Sequence, residues 1–148
     1  MAGILILHGP NLNLIGQREP DIYGSLALTK IDQKLKTHGK ELGLEVRTFQ
    51  SSGEGDLIDA LHEAQHWASG VVFNPGGYTH TSVALRDAVA GISLPVIEVH
   101  ISNVFAREEF RHKSLISPVS AGKITGFGWR SYLLAVQALA WMIEEEDI

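Results

Sequence analysis

Glu98 and His100 are the pair of side chains in this sequence whose types and spacing best suit acid–base chemistry. They lie two positions apart in the apolar stretch "VIEVHISN", which is typical of a buried strand. Residues two apart share one face of a strand, so the carboxylate can lie beside the imidazole and fix its tautomer. A carboxylate neighbour also favours the protonated ring, which suits a general acid near neutral pH. The alternative is a pair of polar residues at the fraying end of a strand.

A long polar loop near the start of the chain contains the candidate base. The stretch "GPNLNLIGQREPDIYG", residues 9–24, follows an apolar run at residues 4–7. Long irregular connections of this kind tend to be functional or disordered. A loop tyrosine such as Tyr23 more often packs against apolar neighbours than acts as a base, because a phenol is normally protonated at neutral pH. A guanidinium from Arg18 close to the phenol would stabilise the tyrosinate and make it a base.

Short apolar runs alternate with amphipathic helical stretches along the whole chain. The predicted strands cover residues 3–8, 44–49, 70–73, 95–99 and 116–124. The predicted helices cover residues 26–42, 56–68 and 131–143, and another begins within residues 74–90. This order is typical of a parallel sheet with helices on both faces. We therefore expect one α/β domain, residues 1–148, with a flavodoxin-like five-stranded parallel sheet in the order 2-1-3-4-5.

Polar residues collect where this fold places its ligands, beyond the carboxyl ends of the strands. The residues at or beyond the ends of the first, third and fourth predicted strands are Asn11, Asn13, Arg18 and Tyr23; Asn74, Gly76, Gly77 and His80; and Glu98, His100, Ser102, Asn103, Arg107 and Arg111. The helix start near residues 79–82 and the main chain of Ile101 and Ser102 offer N–H donors to an anion. The plainer interpretation of residues 79–82 is a strand-to-helix turn with threonine as the N-cap. We predict a ligand site at this edge of the sheet.

Composition and charge exclude several classes of partner. The net charge of −5, the pI near 5.8 and the lack of a basic run argue against a nucleic-acid partner. The sequence has no cysteine, which excludes disulfides and thiolate zinc sites. The longest apolar stretch, residues 133–143, is too short to span a bilayer, so we expect no membrane partner. No signal-peptide pattern precedes the first strand, and we expect a cytoplasmic location.

Two motifs suggest other chemistry and are set aside. The stretch "HEAQH", residues 62–66, matches a zinc-binding pattern, but a helical wheel directs His62 and His66 away from the apolar face and toward solvent. The stretch "GFGWRS", residues 126–131, is a partial dinucleotide-binding fingerprint. It follows the last predicted strand instead of the first, which argues against a dinucleotide site.

Four stretches of the sequence resemble the type II 3-dehydroquinate dehydratases. They are "LHGPNLNLIGQREPDIYG", "VVFNPGGYTHTSVALRDA", "VIEVHISN" with "REEFRHKS", and "ITGFGWRSYLLAV". The resemblance covers nearly the whole chain and implies the same flavodoxin-like fold. It implies anti elimination of water from 3-dehydroquinate to 3-dehydroshikimate through an enolate, in the shikimate pathway that leads to aromatic amino acids. It also implies no metal or organic cofactor and a homododecamer of trimers.

The resemblance implies a role for each catalytic candidate. Tyr23 would be the tyrosinate that removes a C2 proton, and Arg18 would lie on a mobile lid that stabilises the tyrosinate and closes over the substrate. Asn11 would hold a water that stabilises the enolate oxygen. His100 would protonate the departing C1 hydroxyl, with Glu98 orienting it.

The resemblance also implies how the substrate is held. Asn74 and the backbone of Ile101 and Ser102 would bind the carboxylate. His80 and Arg111 would bind the ring hydroxyls, and Asp87 would reach in from a neighbouring subunit.

Two other functions stay open on the residues alone. A non-catalytic flavodoxin-like module that binds a small anion or a nucleotide phosphate would explain the glycines and arginines. It has no use for Tyr23 or for the Glu98–His100 pair. A different lyase that acts on a cyclic hydroxy acid would use the same acid and base.

Overall fold

The computed structural model describes residues 1–17 and 19–146, and it contains one five-stranded parallel sheet in the order β2-β1-β3-β4-β5. The strands are β1 (Ala2–His8), β2 (Leu44–Gln50), β3 (Gly70–Asn74), β4 (Val96–His100) and β5 (Gly122–Thr125). All four neighbouring pairs are parallel. The predicted fold class and strand order are confirmed.

Helices cover both faces of the sheet, as predicted. The helices are α1 (Pro20–Tyr23), α2 (Leu28–Glu41), α3 (Glu54–Ala64), α4 (Val83–Gly91) and α5 (Arg130–Glu146). One core cluster joins Ile4 and Ile6 of β1 to α2 and α5. The other joins Leu5 and Leu7 of the same strand to α3 and α4. Alternate residues of β1 thus pack on opposite helical layers, because both faces of a parallel sheet are buried.

The fifth strand is shorter than the predicted residues 116–124. It begins at Gly122, and Ser117–Val119 form a 3-10 turn instead. Pro118 has no N–H to donate to a sheet. The N–H groups of Ile116 and Ser117 donate to the Ser114 hydroxyl, which turns this segment toward β4. Ile116 is nevertheless fully buried, which explains its strand-like appearance in the sequence.

The helix after β3 begins at Val83, just after the start predicted near residues 79–82. Gly76–His80 form a 3-10 segment, and α4 starts at Val83 with Ser82 as its N-cap. The Ser82 hydroxyl accepts from the Leu85 N–H at 3.0 Å, as an N-cap does. The prediction of a threonine N-cap is therefore wrong, and Thr79 instead donates its hydroxyl to Glu98.

The two motifs set aside on sequence grounds lie where that interpretation put them. His62 and His66 are exposed, and the described residues contain no group of three or more histidine or acidic side chains that could hold a metal ion. Gly126 and Gly128 follow β5, the edge strand, instead of the first strand. Within the described part of the chain, no helix is both long enough and apolar enough to cross a membrane.

The carboxyl ends of β1, β3 and β4 meet at one edge, which brings the candidate residues together. His8 pairs with Asn74 across β1 and β3, and Phe73 pairs with Glu98 across β3 and β4. The chain leaves β1 through Gly9, where an added Cβ would lie 2.6 Å from the Pro75 carbonyl oxygen. Glycine is needed here because the loops after β1 and β3 are in direct contact.

Candidate active site

A cavity of about 180 Å³ opens at the carboxyl edge of the sheet, between the loops that follow β1, β3 and β4. Eight of the predicted site residues line it: Asn11, Tyr23, Asn74, His80, His100, Ile101, Ser102 and Arg111. Gly76, Gly77 and Arg107 also line it. Tyr23 and His100, the candidate base and acid, therefore share one cavity although they are far apart in sequence.

Glu98 lies behind His100 and bonds to its ring. The carboxylate is fully buried, and its Oε2 lies 2.5 Å from His100 Nε2. Three hydroxyls donate to the same carboxylate: Thr79 at 2.6 Å, Ser114 at 2.9 Å and Ser117 at 2.6 Å. A buried charge is tolerated when it is paired and hydrogen-bonded in this way.

The surroundings keep Glu98 ionised. Burial alone would raise the pKa of the Glu98 carboxyl. The hydrogen bond and charge of His100, with the hydrogen bonds from Ser117 and Thr79, outweigh burial and lower that pKa from 4.5 to about 2. An ionised carboxylate can only accept, so His100 Nε2 carries a proton and donates it to Glu98. His100 Nδ1 has no hydrogen-bond partner among the described residues and is the ring nitrogen left to act in the cavity.

Arg107 is the guanidinium that contacts Tyr23 within the described part of the chain. Its Nη1 donates to the Tyr23 hydroxyl oxygen at 2.8 Å and to Ser102 Oγ at 3.2 Å. Its guanidinium carbon lies 5.1 Å from the centroid of the Tyr23 ring. Both contacts place a positive charge directly against the Tyr23 side chain.

Arg107 is the functional candidate to which the sequence reasoning gave no role. That reasoning gave the activation of Tyr23 to Arg18, which lies outside the described residues. The signal in the sequence was the position of Arg107 shortly after β4, the strand that carries Glu98 and His100. The buried Nε of Arg107 has no hydrogen-bond partner among the described residues. It forms a longer ion pair with Glu108 Oε1 at 3.9 Å.

His80 and Arg111 lie on the side of the cavity formed by the loops after β3 and β4. His80 Nδ1 donates to the Lys113 carbonyl oxygen at 2.7 Å. Burial lowers the pKa of His80, the bond to Lys113 opposes this, and the nearby His100 and Arg111 lower the pKa further. A neutral ring that donates from Nδ1 has Nε2 as an acceptor, which suits a hydroxyl group. Arg111 Nε donates to Glu108 at 2.9 Å, and its guanidinium packs over the Phe110 ring.

Asp87 does not line the cavity of its own chain. It is exposed on α4 and pairs with the neighbouring Arg86 at 2.9 Å. This position agrees with the expectation that it acts on a neighbouring subunit, which stays a prediction. Asn13 and Asn103, which were noted among the polar residues at this edge, do not line the cavity, and Asn103 caps a 3-10 turn instead.

The fold and the cavity together define a flavodoxin-like enzyme built for acid–base chemistry on a small molecule. The model of the family described as Dehydroquinase class II matches residues 2–140 of the chain. The chain belongs to this family, and it is therefore a hydro-lyase of the shikimate pathway.

Individual relatives agree with this assignment. The 3-dehydroquinate dehydratase of Bacillus licheniformis is 58% identical over 136 residues, which are 92% of this chain and 94% of the relative. The enzyme of the same name from Ruegeria pomeroyi is 52% identical over 146 residues, 99% of this chain and 98% of the relative. The crystal structure of type II dehydroquinase from Butyrivibrio crossotus has a TM-score of 0.91 and 45% identity, and covers 93% of this chain and 97% of that one.

Proposed function

We propose that this enzyme converts 3-dehydroquinate to 3-dehydroshikimate by anti elimination of water, with Tyr23 as the base and His100 as the acid. The observation that carries this mechanism is the shared cavity. The Tyr23 hydroxyl, bonded to Arg107, and the His100 ring, bonded to Glu98, both line it. The function itself follows from the family and from its curated 3-dehydroquinate dehydratases.

In the first step the Tyr23 phenolate takes a proton from C2 of the substrate and becomes a phenol. The electrons of the broken C–H bond move toward the C3 ketone and form an enolate. Arg107 supports this step because its donor bond favours the phenolate, and Arg18 is proposed to assist from the lid that closes over the substrate. Asn11, which lines the cavity, is proposed to hold the water that stabilises the enolate oxygen.

In the second step the enolate re-forms the ketone and expels the C1 hydroxyl. The electron pair forms the C1=C2 double bond, and His100 gives the departing hydroxyl a proton so that it leaves as water. Glu98 holds the ring in position and stabilises the imidazolium before this transfer. The tyrosine ends protonated and the histidine neutral, and one proton exchanged with solvent returns both to their starting states.

The remaining polar groups of the cavity are proposed to bind the substrate. Asn74 and the backbone of Ile101 and Ser102 would hold the carboxylate, while His80 and Arg111 would hold the ring hydroxyls. The acceptor nitrogen of His80 and the donor groups of Arg111 are complementary to hydroxyls, which both donate and accept.

We also propose that residues 1–148 form a single catalytic domain that assembles as a homododecamer of trimers. The single sheet and the family match over residues 2–140 support one domain. Large apolar side chains that are exposed on the single chain, among them Phe105, Phe110 and Phe127, are available for contacts between subunits. In the assembly Asp87 would complete a neighbouring cavity. Sedimentation analysis tests the assembly, and a stable monomer would contradict it.

Mixing the purified enzyme with 3-dehydroquinate and following the enone absorbance of the product tests the function. We expect Tyr23→Phe to lower kcat by about 10²- to 10⁴-fold, the usual contribution of a positioned base. Substrate binding should change little, because the ring and its packing are retained. A Tyr78→Phe variant removes a hydroxyl that bonds to the Ser52 carbonyl outside the cavity, and it is the matched control. Near-normal turnover by Tyr23→Phe would show that the base is assigned wrongly.

A further inference from the structure

A chain of four polar side chains runs from α2 to the cavity, and the proposed mechanism uses the last of them. Asp32 Oδ1 lies 2.8 Å from His8 Nε2, and His8 Nδ1 lies 2.9 Å from the Tyr132 hydroxyl. Asn74 Nδ2 donates to the same hydroxyl at 3.0 Å. His8 and Tyr132 are fully buried, and the Asp32 side chain is 20% exposed. A buried polar network is costly unless each of its groups has a hydrogen-bond partner, so its presence in the core suggests a role.

The bonds in this chain have one consistent set of directions. Burial raises the pKa of Tyr132, while the bond from Asn74 lowers it by less, so the hydroxyl keeps its proton. The Asp32 carboxylate can only accept, which places a proton on His8 Nε2. A second proton on Nδ1 would leave the buried Tyr132 hydroxyl proton without an acceptor in the network. Tyr132 therefore donates to His8 Nδ1, and the Tyr132 oxygen accepts from Asn74.

These directions fix the Asn74 amide. Its Oδ1 accepts from the Gly76 N–H at 3.0 Å, and one hydrogen of Nδ2 goes to Tyr132. A flipped amide would place Nδ2 against the Gly76 N–H and Oδ1 against a hydroxyl whose proton is used by His8. Both bonds would be lost. The amide therefore keeps one N–H, the second hydrogen of Nδ2, for a ligand in the cavity that Asn74 lines.

We propose that Asp32, His8 and Tyr132 are positioning residues that hold Asn74 as a hydrogen-bond donor, and so set a preference of the cavity for a carboxylate over a carboxamide. The inference rests on the proposed function, in which Asn74 contacts the carboxylate of the substrate. A carboxylate accepts hydrogen bonds at both oxygens, whereas a carboxamide presents donors as well. A site whose donors cannot turn into acceptors rejects a ligand that needs an acceptor.

Two substitutions interrupt this series of hydrogen bonds at different points. Asp32→Asn replaces a group that can only accept by an amide that can also donate, so either tautomer of His8 becomes possible. Tyr132→Phe keeps the ring and removes the hydroxyl. Asp59→Asn, at an exposed position on α3, is the matched control for the loss of a carboxylate.

The test is calorimetric titration with quinate, the C3 alcohol of the substrate, and with its carboxamide. Quinate has no ketone and does not undergo the elimination. A hydrogen bond to a charged group accounts for about 10- to 100-fold in affinity, so partial loss should weaken quinate binding by about fivefold or more. The carboxamide should lose less, and the ratio of the two Kd values should fall in Asp32→Asn and in Tyr132→Phe. The control should keep the wild-type ratio.

Turnover of 3-dehydroquinate gives a second readout. The carboxylate charge does not change during the reaction, so KM should rise while kcat stays within about twofold of wild type. An unchanged ratio of Kd values in folded Asp32→Asn protein would overturn the proposal and leave the chain a purely structural network. Should Tyr132→Phe fail to fold, Asp32→Asn alone decides. A wild-type protein that binds quinate without dehydrating 3-dehydroquinate would refute the proposed function, and the ratio would still test this inference.

Discussion

Replacing Glu98 by glutamine removes one negative charge from the most heavily bonded carboxylate near the cavity. Its two oxygens accept from His100, Thr79, Ser114 and Ser117, and the side chain is fully buried. Glutamine keeps the shape but cannot stabilise an imidazolium by charge. We expect kcat to fall, because His100 must be protonated before it can act as the acid.

The same substitution should remove a pH-dependent part of the stability. The folded protein lowers the pKa of Glu98 from 4.5 to about 2. That shift corresponds to about 3 kcal/mol of stabilisation of the ionised form. Because the pKa is lower in the folded state, this stability is present above pH 4.5 and is lost as the pH falls toward 2.

The assay is denaturant unfolding of wild type and Glu98→Gln between pH 7 and pH 2 at one protein concentration, since assembly makes stability depend on concentration. The difference in free energy of unfolding between wild type and Glu98→Gln should shrink by about 3 kcal/mol as the pH falls from 7 to 2. Glu63→Gln, at an exposed position on α3, should differ from wild type by at most about 0.5 kcal/mol throughout. A Glu98→Gln gap that is the same at every pH would refute the reasoning that His100 and the hydroxyls hold the carboxylate ionised.

Two further substitutions test other parts of the account. Arg107→Ala should lower kcat by about 10- to 100-fold, because it removes a charged hydrogen bond to the base. Arg130→Ala, at an exposed position on α5, is the control and should keep the wild-type kcat. Equal kcat values for the two variants in a steady-state assay would count against a role for Arg107. Gly9→Ala should destabilise the fold by about 1–3 kcal/mol, since the new methyl would lie 2.6 Å from the Pro75 carbonyl oxygen. Gly91→Ala meets nothing within 4 Å and is its control; equal thermal stability of the two variants would show that the contact relaxes without cost.

The sheet could be predicted from the sequence because β1, β3 and β4 are short apolar runs, and an amphipathic helix follows each of the first three strands. Where buried and irregular segments look alike, the prediction was wrong. Ile116 is fully buried, but it begins a turn that contains Pro118, and its N–H donates to the Ser114 hydroxyl. Such a turn shows no regular alternation of apolar residues, so the sequence pattern could not distinguish it from a buried strand.

The residues at the carboxyl edge could be predicted because parallel strands bring their ends together. The partners of those residues could not. Arg107 and Tyr23 are separated by 84 positions, and their bond depends on how two loops fold over the cavity. The hydrogen bonds that link the side chains of His8, Tyr132 and Asn74 join β1, α5 and β3. These residues are far apart in the sequence, and no motif indicates that they are in contact.

Exchange of the C2 hydrogen of 3-dehydroquinate in heavy water, followed by NMR beside product formation, tests the division of labour between Tyr23 and His100 most directly. With His100→Ala the base remains, so deuterium should enter C2 faster than product appears. With Tyr23→Phe both exchange and product formation should fall to near the uncatalysed rate. Wild-type exchange by Tyr23→Phe would contradict the claim that the phenolate opens the reaction.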